Sequence, residues 1–182
     1  ILKDHHVGVS HNMSANIKSA NGVAPGLEMF NRGLRIGLGT DGPMSGNLIS
    51  IVDELHQVVK IHKLLNKDRS VMPPIDVVEM ATIGGARALH MEDRIGSLEV
   101  GKLADIVVVN THDVNMTPIY NPYSALVYSA NASNVRHVII NGRLIVKDRK
   151  VLTVDEEDAR QAVIKFTEKV RNVLIESGEK II

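Results

Sequence analysis

The segment Leu34-Arg35-Ile36-Gly37-Leu38-Gly39-Thr40-Asp41-Gly42 carries the clearest structural signal in this sequence. Its first half is apolar and predicts a strand, and the polar residues that follow predict a turn. A carboxylate at the carboxyl end of a parallel strand faces the crevice in which α/β folds bind ligands. Aspartate can also bind a zinc-class ion and take a proton from bound water. Asp41 is therefore a candidate catalytic and metal-binding residue; the alternative is a turn former or helix cap.

The segments on either side of this strand predict a β-α-β unit. Residues 7–11 form a short apolar strand, and Asn12 to Asn21, rich in Ser, Asn and Ala, is predicted to be a loop. Pro25 and Gly33 mark the start and the end of a helix. Asn47 is predicted to cap a second, longer helix. Its apolar residues recur at helical spacing at Leu48, Ile51, Val52, Leu55, Val58, Val59 and Leu65. Two strands separated by a helix imply a parallel pair.

The rest of the chain changes character near residues 92–104. Before that boundary, Pro73-Pro74 precedes a helical stretch from Ile75 to about Leu89, and Gly84-Gly85 is expected to divide it. After it, three further elements are predicted. They are a strand over residues 106–109, a hairpin over 135–146 with a type I′ turn at Asn141-Gly142, and a final helix capped by Asp155 and stopped by Gly178.

Composition excludes several classes of function. Lys plus Arg equals Asp plus Glu at 21 each, so no net charge draws the chain to nucleic acid or anionic lipid. There is no Cys, which removes disulfides, Cys-ligated zinc and thiolate catalysis. We expect no nucleic-acid or membrane partner, and a cytoplasmic location. The chain starts at Ile1 without Met, which suggests a truncated product; removal of a tag or short leader is the alternative.

Histidine spacing supports only one further candidate. His11 ends the first predicted strand, where it could bind a metal or a substrate, or could hydrogen-bond in the loop to orient Asn12 or Ser14. His56 and His62 are six residues apart, which is a rotation of about 240° around a helix, and both are expected near its surface. The pair His5-His6 would face opposite sides of a strand. The chain contains no His-x-His and no His-Glu-x-x-His, whereas a catalytic zinc site takes about three protein ligands.

Several motifs together resemble the amidohydrolase deaminases, a group that includes methylthioadenosine/S-adenosylhomocysteine deaminases, guanine deaminase and triazine chlorohydrolases. Residues 37–42, with Ser45 and Asn47, resemble the motif of barrel strand eight in that group. Residues 11–16 are similar to its strand-seven motif, usually His-Asn-Pro-x-Ser-Asn, with Met13 and Ala15 as departures that leave the substrate open. Further matches follow in family order at residues 24–29, 80–89, 95–105, 121–128 and 138–142.

The resemblance implies a fold larger than this chain. The family has a metal-dependent (β/α)₈ barrel, and a barrel alone takes about 250 residues. We therefore expect an α/β chain that forms the C-terminal part of such a protein. Residues 1–95 would supply about strands seven and eight with their following helices. Residues 96–182 would supply part of a small β-sandwich and a C-terminal helix, and the family motif at Lys102 and Asp105 would be structural.

The resemblance also implies an activity, hydrolytic deamination of a purine nucleoside such as methylthioadenosine or S-adenosylhomocysteine. Asp41 would bind the metal, accept a proton from the water and relay it to the departing ammonia. The metal would be Zn²⁺, with Fe²⁺ possible. His11, Ser45 and Asn47 are candidate substrate-binding residues. The family's other metal ligands lie outside this sequence, so we expect the chain alone to bind no metal and to be inactive.

Two alternatives to this function stay open. One is guanine deamination or triazine dechlorination by the same kind of site. The other is a non-catalytic fragment that only oligomerises. Exposed edges of parallel strands favour further pairing, so we expect a homo-oligomer or association with the N-terminal half of the family fold.

Overall fold

The computed structural model of the chain describes residues 1–177. Its strands are β1 (Gly8–His11), β2 (Arg35–Leu38), β3 (Ile106–Val109), β4 (Val135–Ile140), β5 (Arg143–Lys147) and β6 (Lys150–Val151). Its helices are α1 (Met13–Lys18), α2 (Gly26–Asn31), α3 (Pro43–Gly46), α4 (Ile51–Asn66), α5 (Pro74–Glu79), α6 (Gly85–Ala88), α7 (Pro122–Tyr128) and α8 (Glu156–Glu176). A π-helical turn (Met80–Gly84) joins α5 to α6, and 3₁₀ turns lie at Val114–Met116 and Ala132–Asn134.

The predicted β-α-β unit is confirmed. β1 and β2 pair in parallel, in a register that runs from Gly8 opposite Arg35 to His11 opposite Leu38. Helix α2 lies between them in the chain, and Pro25 immediately precedes it as predicted. Because the strands are parallel, their carboxyl ends lie side by side at one edge of the sheet.

Two sequence predictions in this region are wrong. The loop predicted from Asn12 to Asn21 contains helix α1, whose first residues are buried against the rest of the unit. The long helix α4 begins at Ile51 and not after Asn47, because the Ser50 hydroxyl accepts the N–H of Asp53 and caps it there. Asn47 instead ends the short helix α3, in a left-handed conformation (φ 64°).

The two-stranded sheet packs closely on the helical segment that follows it. The predicted helix over residues 75–89 is confirmed, and the π turn ends and α6 begins at Gly84 and Gly85, where the division was expected. A Cβ on Gly37 of β2 would lie 2.6 Å from the Gly85 Cα and 3.1 Å from the Gly85 nitrogen. These contacts are with backbone, which cannot move aside, so glycine at position 37 sets the distance between β2 and α6.

One hydrophobic core joins the first part of the chain to α7. Its buried members come from α1, β2, α4, the bend before α5, the helical segment over residues 74–88 and α7, namely Met13, Ile36, Leu55, Val58, Val59, Met72, Val77, Met80 and Val127. Helix α7 thus packs against α4 and α5 although it lies beyond the predicted boundary at residues 95 and 96. The division into two domains stays a prediction.

The second sheet is antiparallel, in the order β3-β4-β5-β6. The predicted hairpin is confirmed, with Asn141 (φ 49°) and Gly142 (φ 75°) in its turn. Asp105 accepts the Asn141 N–H at 2.7 Å, and Lys102 donates to the Glu92 carbonyl at 2.6 Å. Both side chains of this family motif therefore make structural bonds near the junction between the two sheets.

Helix α8 has the predicted cap, because the Asp155 side chain accepts the N–H groups of Glu157 and Asp158. The predicted stop at Gly178 lies outside the described residues. None of the helices within residues 1–177 combines the length and the apolar character that crossing a membrane requires.

The contact between β2 and α6 makes Gly37→Ala a test of the fold. We expect this substitution to lower the free energy of unfolding by about 1–3 kcal/mol, because the added methyl group overpacks a backbone contact. Gly42→Ala is the matched control, since a Cβ there meets nothing within 4 Å and φ is −75°. Urea titration followed by circular dichroism measures both; equal midpoints for the two variants would contradict the packing.

Candidate functional site

The candidate site is the carboxyl edge, which we define as residues 10–12 and 39–42. The Gly39 N–H donates to the His11 carbonyl at 3.1 Å, so the pairing of β1 with β2 continues one residue past β2. Ser10 donates its hydroxyl to the Asn12 side chain at 2.7 Å. A Cβ on Gly39 would overlap both the Ser10 hydroxyl and the Asn12 amide oxygen. These two polar side chains therefore lie directly against the backbone that leads to Asp41.

Asp41 lies at this edge with its carboxylate available. Its backbone is left-handed (φ 57°), a conformation that Asp adopts more readily than most residues, and its side chain is exposed. One carboxylate oxygen, Oδ1, accepts the Gly42 N–H at 2.5 Å. The other makes no hydrogen bond with any residue between 1 and 177. The Asp41 carboxylate can therefore bind a cation or accept a proton without breaking an internal bond.

Ser45 and Asn47 lie in and just after α3, the short helix that follows Asp41. Ser45 is half-buried and Asn47 is exposed. The Ser45 N–H donates to the Gly42 carbonyl and the Asn47 N–H to the Pro43 carbonyl, and these backbone bonds form and end the helix. Both predicted residues therefore belong to the short segment that directly follows Asp41 in the chain.

His11, at the end of β1, is buried against helix α4. Its side chain is 1% exposed, and its Nε2 lies 3.0 Å from the Nε2 of His62 on α4. The ring centroids are 5.3 Å apart. That separation equals the 3.0 Å between the two Nε2 atoms plus one ring radius on each side, so the two nitrogens point at each other. This is the geometry of a hydrogen bond with one shared proton. The other ring nitrogen of His11, Nδ1, is buried and has no hydrogen-bond partner among residues 1–177.

The expectation that His62 lies near the surface of its helix is wrong, because it is 3% exposed. The buried position is possible because His11 supplies a hydrogen-bond partner. Burial, and then the neighbouring His62, lower the pKa of His11 to about 4. Burial also lowers the pKa of His62. The pair is therefore neutral at physiological pH.

Sequence reasoning missed Glu54, which lies on α4 and is completely buried. Its Oε2 accepts the N–H of Ser14, at the start of α1, at 3.2 Å. Burial raises the pKa of Glu54, and the N–H groups of Ser14 and Met13 oppose that shift. Helical spacing in the sequence could have predicted its burial. Positions 54 and 62 fall on the same helix face as Leu55, Val58 and Val59, so both polar residues occupy the buried face.

The residues of the described chain do not complete a metal site. Within residues 1–177, no group of three or more His, Cys, Asp or Glu side chains could hold a metal ion. Asp41 is a chemically suitable ligand, but a catalytic zinc ion takes about three from the protein.

Comparison with known proteins identifies the family. The profile described as "Amidohydrolase family" matches residues 1–145 of the 182. The chain belongs to the amidohydrolase family. This confirms the resemblance that the motifs indicated.

Two curated relatives show which amidohydrolases the chain is similar to. It is 44% identical over 163 residues to a 5-methylthioadenosine/S-adenosylhomocysteine deaminase of Syntrophobacter fumaroxidans, covering 90% of this chain and 37% of the relative. It is 38% identical over 174 residues to a 5′-deoxyadenosine deaminase of Methanosarcina barkeri, covering 93% and 40%. The chain thus spans about two fifths of the length of these relatives.

Solved structures give the same fold. An adenosine deaminase from Xanthomonas campestris with bound zinc superposes with a TM-score of 0.87 at 30% identity, covering 90% of this chain and 37% of that one. The zinc complex of the atrazine chlorohydrolase TrzN from Arthrobacter aurescens TC1 gives a TM-score of 0.83 at 23% identity, covering 90% and 36%. At that identity the second likeness concerns the fold alone.

The buried histidine pair makes this amidohydrolase chain sensitive to acid. The unfolded chain binds a proton at His11 with the ordinary pKa of 6.5, and the folded chain binds it only near 4. Stability is therefore fully present above about pH 6.5 and falls as the pH drops toward 4. We expect a loss of about 2 kcal/mol between pH 7 and pH 5 that depends on His11.

Urea midpoints at pH 7 and pH 5 measure this difference. His11→Gln should flatten the dependence, whereas His90→Asn, which changes an exposed histidine, should keep it. An equal pH difference in wild type and His11→Gln would contradict the assignment.

A single carboxylate predicts weak metal binding by the isolated chain. After incubation with zinc and gel filtration, we expect well below one zinc per chain by elemental analysis, because no group of three ligands is present within residues 1–177. One retained zinc per chain that is lost in Asp41→Asn would show that the described residues do form a site.

Proposed function

We propose that this chain is part of a hydrolytic deaminase that acts on the adenine ring of a 5′-substituted adenosine, such as 5-methylthioadenosine or S-adenosylhomocysteine. One observation carries the proposal. An amidohydrolase chain that is 44% identical to a deaminase of those substrates over nine tenths of its length presents an exposed Asp41 at the carboxyl edge of a parallel strand pair.

The reaction adds water to the ring carbon that bears the amino group, and the carbon–nitrogen bond then breaks to release ammonia. Asp41 would accept a proton from the water and pass it to the leaving nitrogen. A zinc ion, as in the Xanthomonas adenosine deaminase, supplies an activated water when it is bound. Asp41 would supply one of its ligands, and the remaining ligands and the acid that protonates the ring nitrogen would come from residues outside this chain. Iron is the alternative metal.

Neighbouring residues would shape the pocket beside Asp41. Ser45 lies on α3 and Asn47 directly follows that helix, and both would contact a substrate bound at the edge. We propose an indirect role for His11, which is closed off by His62 and would hold the end of β1 in place. Asn12, whose side chain lies against Gly39, is better placed for direct contact.

The rest of the architecture would follow the family. We propose that β1 and β2 are the seventh and eighth strands of the barrel, and that β3 to β6 form part of the β-sandwich. Because such a barrel needs further strands beside β1 and β2, the chain would associate with the remaining part of the fold or with copies of itself. We expect the whole protein to act in the cytoplasm on a small molecule.

The 5′ group of the substrate is the least constrained part of the proposal. The 38% identity to the 5′-deoxyadenosine deaminase supports an enzyme that tolerates different groups at that position. Guanine deamination and triazine dechlorination are alternatives within the family, and a non-catalytic fragment is the alternative outside it.

The full protein that contains this chain should release ammonia from 5-methylthioadenosine, S-adenosylhomocysteine or 5′-deoxyadenosine. We expect Asp41→Asn to lower kcat by roughly 10²–10⁴-fold, because the amide cannot accept the proton. Its exposed side chain predicts an unchanged fold. Asp93→Asn, at another exposed aspartate, is the matched control and should keep full activity.

A substrate panel with ammonia or chloride as the readout separates the alternatives. Turnover of guanine or triazines without any adenosine would reject the proposed substrate class. Full activity of Asp41→Asn would reject the proposed role of Asp41.

A further inference from the structure

Glu54 is a completely buried carboxyl group that the proposed reaction does not use. It lies on α4, where one oxygen accepts the N–H of Ser14 and the other, Oε1, has no partner among the described residues. A buried carboxyl group that is only half satisfied destabilises a fold, and an apolar side chain of similar size would avoid that penalty. Its presence therefore calls for a role other than packing.

The role is visible at the start of α1. The first N–H groups of a helix lack partners within the helix, and the residue before it usually supplies one from its side chain. Asn12 occupies that position but makes no capping bond. Its amide oxygen accepts the Ser10 hydroxyl at the carboxyl edge instead. Glu54, which belongs to α4, accepts the Ser14 N–H at the start of α1. The Asn12 side chain therefore stays in the candidate site.

Helix α1 in turn holds the segment that follows Asp41. Lys18, at the end of α1, donates to the Met44 carbonyl of α3 at 2.9 Å. A Cβ placed on Gly46 of the same short helix would lie 3.9 Å from the Ser14 Cβ, in ordinary van der Waals contact. Because α3 begins two residues after Asp41, the position of α1 limits where the Asp41 turn can lie.

We propose that Glu54 is a positioning residue for the carboxyl edge: it fixes the first turn of α1, and α1 fixes α3 and the Asp41 turn. This role rests on the proposed function, since it matters for catalysis only if Asp41 reacts. Burial raises the pKa of Glu54, as expected for a carboxyl group that is removed from water.

Hydrogen–deuterium exchange of the 182-residue chain tests the proposal with three variants. Glu54→Leu removes the acceptor at similar size, Glu54→Gln keeps an oxygen acceptor without the charge, and Asp53→Asn changes the adjacent acid on α4 as the control. In Glu54→Leu, we expect residues 12–18 and 40–47 to exchange about tenfold faster or more, because the acceptor of the Ser14 N–H is lost. The hairpin at 135–147 should be unchanged.

The conservative variant provides the rescue. Glu54→Gln should raise exchange in the same two segments by only about threefold, since its amide oxygen still accepts the Ser14 N–H. If Glu54→Leu does not fold, this joint rise in Glu54→Gln decides the question. Asp53→Asn should match the wild type.

Two results would overturn the proposal. Faster exchange at 12–18 alone would make Glu54 only a cap for α1, and equal increases in all segments, including 135–147, would make it a general stabiliser. The experiment involves no substrate, metal or ammonia, so its failure is distinguishable from failure of the proposed deamination.

Discussion

The parallel pairing of β1 with β2 is the constraint on which the rest of the site depends. Parallel strands bring both of their carboxyl ends to one edge, and the bond from the Gly39 N–H to the His11 carbonyl carries the pairing into the loops. Close packing of Gly37 on Gly85 holds β2 at a fixed distance from the helical segment behind it. Asp41 is exposed and left-handed between two segments that hydrogen bonds hold in place, Gly39 bonded to His11 and Gly42 bonded to Ser45.

Helix α4 links this edge to the core through two buried polar residues. Glu54 bonds to the start of α1, and His62 bonds to His11 at the end of β1. Each would be unfavourable alone in an apolar interior; His62 has a partner in His11, and one of the two Glu54 oxygens has a partner in the Ser14 N–H. Neighbouring residues at the end of β1 therefore make different contacts. His11 bonds to His62 in the helix layer, and Asn12 bonds to Ser10 at the carboxyl edge.

Much of this organisation could be predicted from the sequence. Apolar runs that end in polar residues marked β1 and β2, and the Asn141-Gly142 pair marked the hairpin between β4 and β5. The family motifs identified the amidohydrolases before any comparison. Local signals failed where a tertiary contact decided the outcome. Helix α1 depends on an acceptor from Glu54, forty positions away, and the burial of His62 depends on His11. No pattern of nearby residues contains either contact.

A crystal structure of the full protein with zinc bound tests the central claim most directly. The account predicts an Asp41 carboxylate oxygen within about 2.0–2.2 Å of the metal. It also predicts that His11 stays hydrogen-bonded to His62, behind the edge and away from the metal. An Asp41 carboxylate outside the coordination sphere, or a His11 nitrogen within it, would contradict the account.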